Sequence, residues 1–238
     1  MKRGTKGDVG VVIAAAGAGR RFGSRKHFLV LAGRPLLYYS FDAFATVEDV
    51  LKIVLVVARD DMEAGLSVVR EWKAERDAVG REVDVAVVPG GPRRQDSVRN
   101  GLDALPSGAR YVLVHDAARP LILPEHIRHL ITATRKHDAA ALGTPSHDSV
   151  KRVVNGAIVE ELPRSEVWTV QTPQSGRVAT LRAAYDQGSA GNFTDEASAL
   201  RAIGVSVALI EGARDNIKIT RRGDEMMAEL ILKARGTG

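Results

Sequence analysis

The sequence predicts an α/β fold: a doubly wound, mostly parallel, Rossmann-like sheet from which a β-hairpin arm projects. Three observations predict it. Short β-branched apolar runs alternate with segments whose apolar residues recur at helical spacing, the pattern of a parallel sheet covered on both faces. The first run, Val11 to Ala16, feeds into Gly17 and Gly19 and then into Arg20, Arg21, Arg25 and Lys26. Further along, Asn155-Gly156 separates two runs of alternating apolar and polar residues, a strong hairpin signal.

With 238 residues, 45% of them hydrophobic, the chain suits one large domain or one domain with an extension. We expect residues 1–8 to form a flexible tail, 9–238 a single domain, and about 147–170 an inserted arm. The absence of cysteine excludes disulfides, thiolate metal sites and cysteine nucleophiles. No run approaches the ~20 apolar residues of a membrane span, and the polar start has no apolar signal region behind it. A cytoplasmic protein without membrane attachment is expected. The net charge of +5 is spread along the chain and fits a small anionic ligand at least as well as nucleic acid. Aromatic residues make up only 5%, too few for stacking platforms, so no nucleic-acid partner is expected.

The first loop carries the strongest chemistry. Its glycines let the chain turn sharply and let a ligand approach backbone N–H groups. The four cations that follow would repel one another without an anion among them, so the loop suits a triphosphate. Gly17-x-Gly19-x-x-x-Gly23 also approximates a dinucleotide fingerprint, with Asp42 near the distance of its ribose-binding carboxylate. Asp42, however, falls within a helical pattern, and hydride transfer has no use for so many cations. The bland alternative is a solvated surface loop.

Pro35 opens a helix that carries Leu37, Phe41 and Phe44 at helical spacing. Lys52 to Val57 is the second strand, and a helix from about Asp60 places Met62, Leu66, Val69 and Trp72 on one face. Strands follow at Asp84–Val88, Tyr111–His115 and Ala139–Leu142. Between them lie a helix with Val98, Leu102 and Leu105 and another from Pro124 with Ile127, Leu130 and Ile131. Ser149 to Glu161 is the hairpin; its apolar face (Val150, Val153, Ile158) has no core of its own, and a second copy of the chain would cover it. The alternative is that it folds back on its own domain. Thr194 is expected to cap a helix with Asp195 and Glu196 in its first turn, continuing through Ala197, Leu200 and Ile203 to Gly204. Val205–Ile210 and Asn216–Ile219 read as strands, and a final helix from about Arg222 is expected to pack Met226, Met227, Leu230 and Ile231.

Three further polar loops stand at strand ends, where ligands bind in open α/β sheets. In Val88–Val98, Gly90 and Gly91 allow close approach of a base or ribose, and Ser97 can hydrogen-bond it; Asp96 or Ser97 could equally be helix caps. In His115–Pro120, Asp116 is a natural Mg²⁺ ligand facing the cationic loop, because Mg²⁺ takes one or two carboxylates and completes its shell with phosphate and water. Arg119 suits a phosphate, whereas His115 reads as a packed core histidine. In Arg214–Thr220, Asp215 and Lys218 stand near a strand, as site residues or as ordinary edge charge. Thr172 and Thr194 lie beside polar turns within reach of a phosphate. No zinc-site spacing is present.

Taken together, these blocks carry a resemblance. Ala-Ala-Ala-Gly-x-Gly-x-Arg, Gly-Gly-x-x-Arg-x-x-Ser-Val, Val-His-Asp-Ala-Ala-Arg-Pro, Gln-Thr-Pro-Gln, Thr-Asp-Glu-Ala-Ser-Ala and Asp-Asn-Ile-Lys-Ile-Thr occur in that order over about residues 9–235. The chain resembles the 2-C-methyl-D-erythritol 4-phosphate cytidylyltransferases of the non-mevalonate isoprenoid pathway. The resemblance implies a nucleotidyltransferase-type sheet, CTP and a polyol phosphate as substrates, Mg²⁺ or another divalent cation, and a homodimer joined by the arm. It implies that Arg20, Lys26, Arg164 and Lys218 are catalytic. Ala14, Ala15, Ala16, Gly17, Gly19, Gly90, Gly91 and Ser97 would bind the nucleotide. Arg119, Ser149, Thr172, Thr194 and Asp215 would bind the acceptor, with Asp116 at the metal. Ser149 and Arg164 match arm positions that reach into the partner subunit's site. Three departures stand out: Arg25-Lys26-His27 replaces the usual Pro-Lys-Gln, Pro92 follows the glycine pair where a polar residue is common, and Ser149 replaces threonine. The implied reaction is in-line attack of the acceptor phosphate on the CTP α-phosphorus with release of pyrophosphate. A cytidylyltransferase for another polyol phosphate, such as ribitol 5-phosphate, and a non-catalytic nucleotide-binding regulator are the competing readings.

Overall fold

Along the first strand, β1 (Val9–Ala15), alternate side chains enter two different cores: Val11 and Ile13 one, Val12 the other. That alternation is the period-2 geometry of a strand buried on both faces. The computed structural model describes residues 7–17, 28–76, 82–187 and 192–236. Residues 1–6 of the expected tail, and the cationic loop with Gly19, Arg20 and Lys26, lie outside the described residues.

After β1 come a short hairpin, β2 (Val30–Leu31) and β3 (Arg34–Pro35), helix α1 (Leu36–Ala45), β4 (Val50–Val57) and α2 (Met62–Arg76). Then follow β5 (Asp84–Pro89), α3 (Arg94–Asp103), β6 (Tyr111–Asp116), α4 (Pro124–His137) and β7 (Ala139–Pro145). The hairpin arm is β8 (Val150–Val154) and β9 (Ala157–Leu162). The chain ends with β10 (Trp168–Arg177), α5 (Val178–Gln187), α6 (Glu196–Ala202), β11 (Ala208–Glu211) and α7 (Asp224–Ala234).

Among the described residues, seven strands form one sheet in the order β11-β7-β10-β6-β1-β4-β5. All neighbours are parallel except β10, which runs antiparallel to both β6 and β7. Helices α1, α2 and α4 cover one face, with Phe41, Phe44, Trp72 and Leu130 in its core. Helices α3, α5 and α6 cover the other through Leu102, Leu181 and Leu200. Each such side chain taken fully out of water contributes roughly 1.5–3 kcal/mol. A third, smaller cluster joins Leu31, Leu36, Tyr39, Ile219 and Leu232 beneath β2 and α7.

The expected strands at residues 52–57, 84–88, 111–115 and 139–142 all form, each extended by one to three residues. Several expectations are corrected. Strand β10 occupies the sheet interior although its sequence, Trp168 to Arg177, is largely polar and contains Pro173. Proline cannot donate to a ladder, and the pairing with β7 skips from Val170 to Gln174 around it. Asn216–Ile219 is irregular chain, not a strand, held by Ile219 N–H donating to the Ala118 carbonyl (2.8 Å). Asp195, not Thr194, caps α6, accepting the Ser198 N–H at 2.9 Å. On α7 a stripe of Ala228, Ile231 and Leu232 faces the protein, Ile231 packing as expected, whereas Met226 (68% exposed), Met227 and Leu230 face outward. Leu66 of α2 is also exposed, while Val69 and Trp72 are buried.

The arm forms about Asn155 and Gly156, whose φ of 50° and 80° are the left-handed pair a tight two-residue hairpin turn requires. It makes its own two-stranded sheet, separate from the main one. Val153, Ile158 and Val159 are 55%, 68% and 49% exposed.

Candidate active site

Strand order fixes where a ligand can sit. From β1 the chain moves outward through β4 and β5, then returns to place β6 on the opposite side of β1. The crevice beyond the carboxyl ends of β1 and β6 is therefore the switch point of the sheet. Ala14 and Asp116 are partners in register there, and the Ala117 N–H donates to the Ala14 carbonyl at 3.1 Å. Ala16 and Gly17 leave the end of β1 progressively more exposed.

The loop after β5 folds over the same end. Gly90 N–H donates to the Val57 carbonyl at 2.7 Å, and a Cβ on Gly90 would lie 2.5 Å from the Ala16 Cβ and 2.8 Å from Ser97 Oγ. Only glycine allows that approach of the two loops. Ser97 accepts the Gly91 N–H at 3.1 Å, so it shapes the loop from within α3. Asp96 accepts the Arg93 N–H at 3.1 Å, closing the start of α3. Ala14, Ala15, Ala16, Gly17, Gly90, Gly91 and Ser97 thus gather around one edge of the crevice.

Asp116 stands between two cations. Lys218 Nζ donates to its Oδ2 at 2.6 Å, and Arg94 Nη2 reaches Oδ1 at 3.4 Å. Burial alone would raise its pKa; Arg94 and Lys218 outweigh that and hold it well below the usual carboxylate range. Its backbone is fixed as well, since the Asp116 N–H donates to Thr172 Oγ1 at 3.0 Å. His115 Nδ1 lies 3.1 Å from the same hydroxyl, and Nε2 lies 3.0 Å from the Arg119 carbonyl. A carbonyl only accepts, so the neutral ring carries its proton on Nε2 and the Thr172 hydroxyl donates to Nδ1. Burial pushes the His115 pKa down to about 4, against the pull of Asp116. The fully buried His115 is thus a packed, neutral histidine, and Thr172 serves as a strut beneath Asp116 with its proton already committed.

The Asp-Asn-Ile-Lys block is legible bond by bond. Asp215 is engaged by Arg235 beyond the end of α7 (Nη2 to Oδ2, 2.7 Å). Buried Asn216 donates to the Thr172 carbonyl at 3.0 Å and to Gln171 Oε1 at 3.3 Å. Its own carbonyl accepts from Arg119 Nη1 at 2.8 Å. Ile219 is buried in the third cluster. These ties present Lys218, itself exposed, to Asp116. Arg119 Nε is buried without a hydrogen-bond partner. An orphaned guanidinium donor beside an exposed lysine suits a phosphate ester.

Two residues stand inside quoted motifs but were given no site role from the sequence. Arg94, the fifth position of the Gly-Gly-x-x-Arg motif, and Glu196 of the Thr-Asp-Glu motif form a fork behind Asp116, with N–O distances of 2.6 and 3.0 Å. Tyr185 Oη donates to Glu196 Oε1 at 2.9 Å. The motif glimpsed both residues; only the fold brings them together across 102 positions.

Thr194 is exposed beside α6, and Ser149 and Arg164 are exposed on the arm, where Arg164 Nη1 donates to the His147 carbonyl at 3.3 Å. The crevice does not gather these three. Among the described residues no group of three or more histidine or acidic side chains could hold a metal. The single carboxylate of Asp116 fits Mg²⁺ where triphosphate oxygens and water complete the shell. No described helix is long and apolar enough to cross a membrane.

The family model described as IspD, 2-C-methyl-D-erythritol 4-phosphate cytidylyltransferase, matches residues 9–234. A 2-C-methyl-D-erythritol 4-phosphate cytidylyltransferase of Dictyoglomus thermophilum is 38% identical over 94% of this chain and 96% of its own. A bifunctional enzyme IspD/IspF of Desulfotalea psychrophila is 35% identical over 94% of this chain, which spans only 57% of that longer protein. The crystal structure of 4-diphosphocytidyl-2C-methyl-D-erythritol synthase from Anaerococcus prevotii superposes with a TM-score of 0.82 at 27% identity, covering 96% of this chain and 100% of its own.

Proposed function

This chain belongs to the 2-C-methyl-D-erythritol 4-phosphate cytidylyltransferase family, and on that premise we propose how its strand-end loops work. It transfers a cytidylyl group from CTP to 2-C-methyl-D-erythritol 4-phosphate. The observation that carries the reading of the site is Asp116, paired with Lys218 at the switch point and flanked by the glycine loop of Gly90.

The acceptor is a phosphate monoester, largely dianionic at neutral pH because its second pKa is ~6. It needs no general base, which agrees with a buried, neutral His115. What the reaction requires is alignment and charge neutralisation. Ala14 to Gly17, Gly90, Gly91 and Ser97 seat the cytidine, and Gly19, outside the described residues, is assigned to the same nucleotide. Arg20 and Lys26, outside the described residues, are assigned to the triphosphate and the charge that develops as pyrophosphate leaves. Asp116 is the side chain that would hold a Mg²⁺ ion, and the ion would supply neutralisation of the triphosphate charge. Lys218 and Arg119 hold the acceptor phosphate in line with the α-phosphorus, with Thr172 and Asp215 bracing their loop and Thr194 at its edge.

The arm completes the reading. Its exposed apolar face supports a homodimer in which Ser149 and Arg164 enter the partner subunit's site. A cytoplasmic location and a single-domain organisation belong to the same reading.

The test is pyrophosphate release from CTP and Mg²⁺ with methylerythritol phosphate, with ribitol 5-phosphate and with no acceptor. Release confined to methylerythritol phosphate is expected. Release confined to ribitol 5-phosphate would move the acceptor assignment, and CTP binding without any release would mark a regulator.

A further inference from the structure

We propose that Arg94 is a positioning residue of the transfer reaction, holding the Asp116 carboxylate in place through its own anchorage to Glu196. The inference rests on the reading of Asp116 as the metal carboxylate and deepens it.

The two cations on Asp116 are not equivalent. Lys218 is exposed and makes one contact, through a single flexible ammonium. Arg94 is mostly buried, and a second carboxylate fixes its guanidinium. Glu196 is fully buried, takes the fork of Arg94 on both oxygens, and accepts the Tyr185 hydroxyl on Oε1. A planar guanidinium held at two points by one carboxylate has no freedom to rotate, so the edge it turns toward Asp116 is fixed. The four residues come from the starts of α3 and α6, the end of α5 and the end of β6. The clamp therefore ties the nucleotide loop, which enters α3, to the loop entering α6 and to the catalytic strand end.

Chemistry explains why such a group is needed. A lone carboxylate that must bind a divalent cation beside a triphosphate has to keep its rotamer while its neighbours exchange partners. Lys218 is free to leave Asp116 for the acceptor phosphate. Arg94 is not, because its departure would strand Glu196 as an unpaired buried charge. An Arg94 released from Glu196 would instead be drawn to whichever anion is nearest, the triphosphate included.

The experiment compares wild-type enzyme with Arg94→Lys, Glu196→Gln and Tyr185→Phe, each checked for folding by thermal melting. Two readouts are taken. Calorimetry measures CTP binding with Mg²⁺ and again in excess chelator; steady-state kinetics give kcat and the KM for methylerythritol phosphate. Losing a partner that orients a metal ligand typically costs ~10–100-fold in metal affinity or activity. We expect Arg94→Lys to lose kcat and Mg²⁺-dependent CTP affinity on that scale. CTP binding in chelator and the acceptor KM stay unchanged. Glu196→Gln follows the same pattern more weakly, and Tyr185→Phe more weakly still.

A folded Arg94→Lys enzyme with wild-type kcat and Mg²⁺ dependence overturns the proposal. Equal loss of CTP affinity with and without metal overturns it too, since that marks a direct nucleotide contact or general damage. Should Arg94→Lys not fold, Glu196→Gln and Tyr185→Phe decide by the same readouts, and wild-type values in both refute it. A wild-type enzyme that releases no pyrophosphate defeats the assigned reaction instead. The calorimetric comparison still reads the clamp in that case.

Discussion

The acceptor side of the crevice and the hairpin arm are built on opposite terms. Around Asp116 every polar side chain is tied to another element: Lys218 and Arg94 to Asp116, Thr172 to His115, Asn216 to Gln171, Asp215 to Arg235. On the arm the strands tie mainly to each other, through pairs such as Arg152 with Glu160 at 2.7 Å, and the apolar residues face outward. Exposed pairs of that kind are worth about 1 kcal/mol at most, and an isolated two-stranded hairpin is marginally stable in water. The crevice is preorganised by its own chain; the arm leaves its apolar residues uncovered. If both serve one reaction, damage to them should look different.

The largest expected difference is at Lys218. Lys218→Ala should lower kcat/KM by ~10²–10³-fold, the usual loss for one electrostatic contact to a developing charge. Its exposure predicts an unchanged melting temperature. Steady-state pyrophosphate release checks this, and near-normal turnover would remove Lys218 from the mechanism.

Next comes the stability of the crevice itself. His115 is neutral when folded, its pKa pushed from 6.5 to about 4 by burial. The unfolded chain therefore binds the extra proton first. Stability from this group is fully present above pH 6.5 and is lost as pH falls toward 4. The shift corresponds to about 3 kcal/mol on the scale of ~1.4 kcal/mol per pKa unit. Urea unfolding in chelator between pH 7 and 4 should show this slope, and His115→Gln should flatten it. An equal slope in the variant would place the pH sensitivity elsewhere.

A smaller effect is expected on the arm. Ile158→Glu should shift sedimentation from dimer to monomer and lower activity by at least ~10-fold, the loss of one well-covered apolar contact at an interface. Urea unfolding of the sheet should be little changed. A variant that keeps both its assembly and its activity would show that the arm serves no partner. The smallest effect is at Gly156, whose φ of 80° a side chain adopts only under strain. Gly156→Ala should loosen the hairpin by ~1 kcal/mol and weaken dimerisation slightly, with Lys218-dependent chemistry intact in the assembled fraction.

What the sequence disclosed follows the same division. Buried parallel strands announce themselves as apolar runs, and the arm announces itself through Asn155-Gly156, because local sterics determine both. Strand β10 did not, since Gln171, Thr172, Gln174 and Ser175 are buried polar groups whose hydrogen bonds are satisfied by distant partners. Asn216–Ile219 imitated a strand because Ile217 and Ile219 alternate with polar residues, yet side-chain bonds to other loops decide its path. Met226, Met227 and Leu230 fit a helical pattern that says nothing of which stripe faces inward. The charges of the site were visible as residue types. The fork of Arg94 on Glu196 was not, because no local rule links residues so far apart.

The arm leaves and rejoins the sheet at one point. Pro145 and Trp168 are paired neighbours on β7 and β10, and the Ser146 N–H donates to the Val167 carbonyl at 2.9 Å. Everything between them is a cassette with closed ends. Its length and sequence can be exchanged without re-registering a strand of the sheet. On the proposed dimer, swapping that cassette between two relatives would exchange Ser149 and Arg164 together with the pairing surface, and leave the strand-end loops of the main sheet as they were.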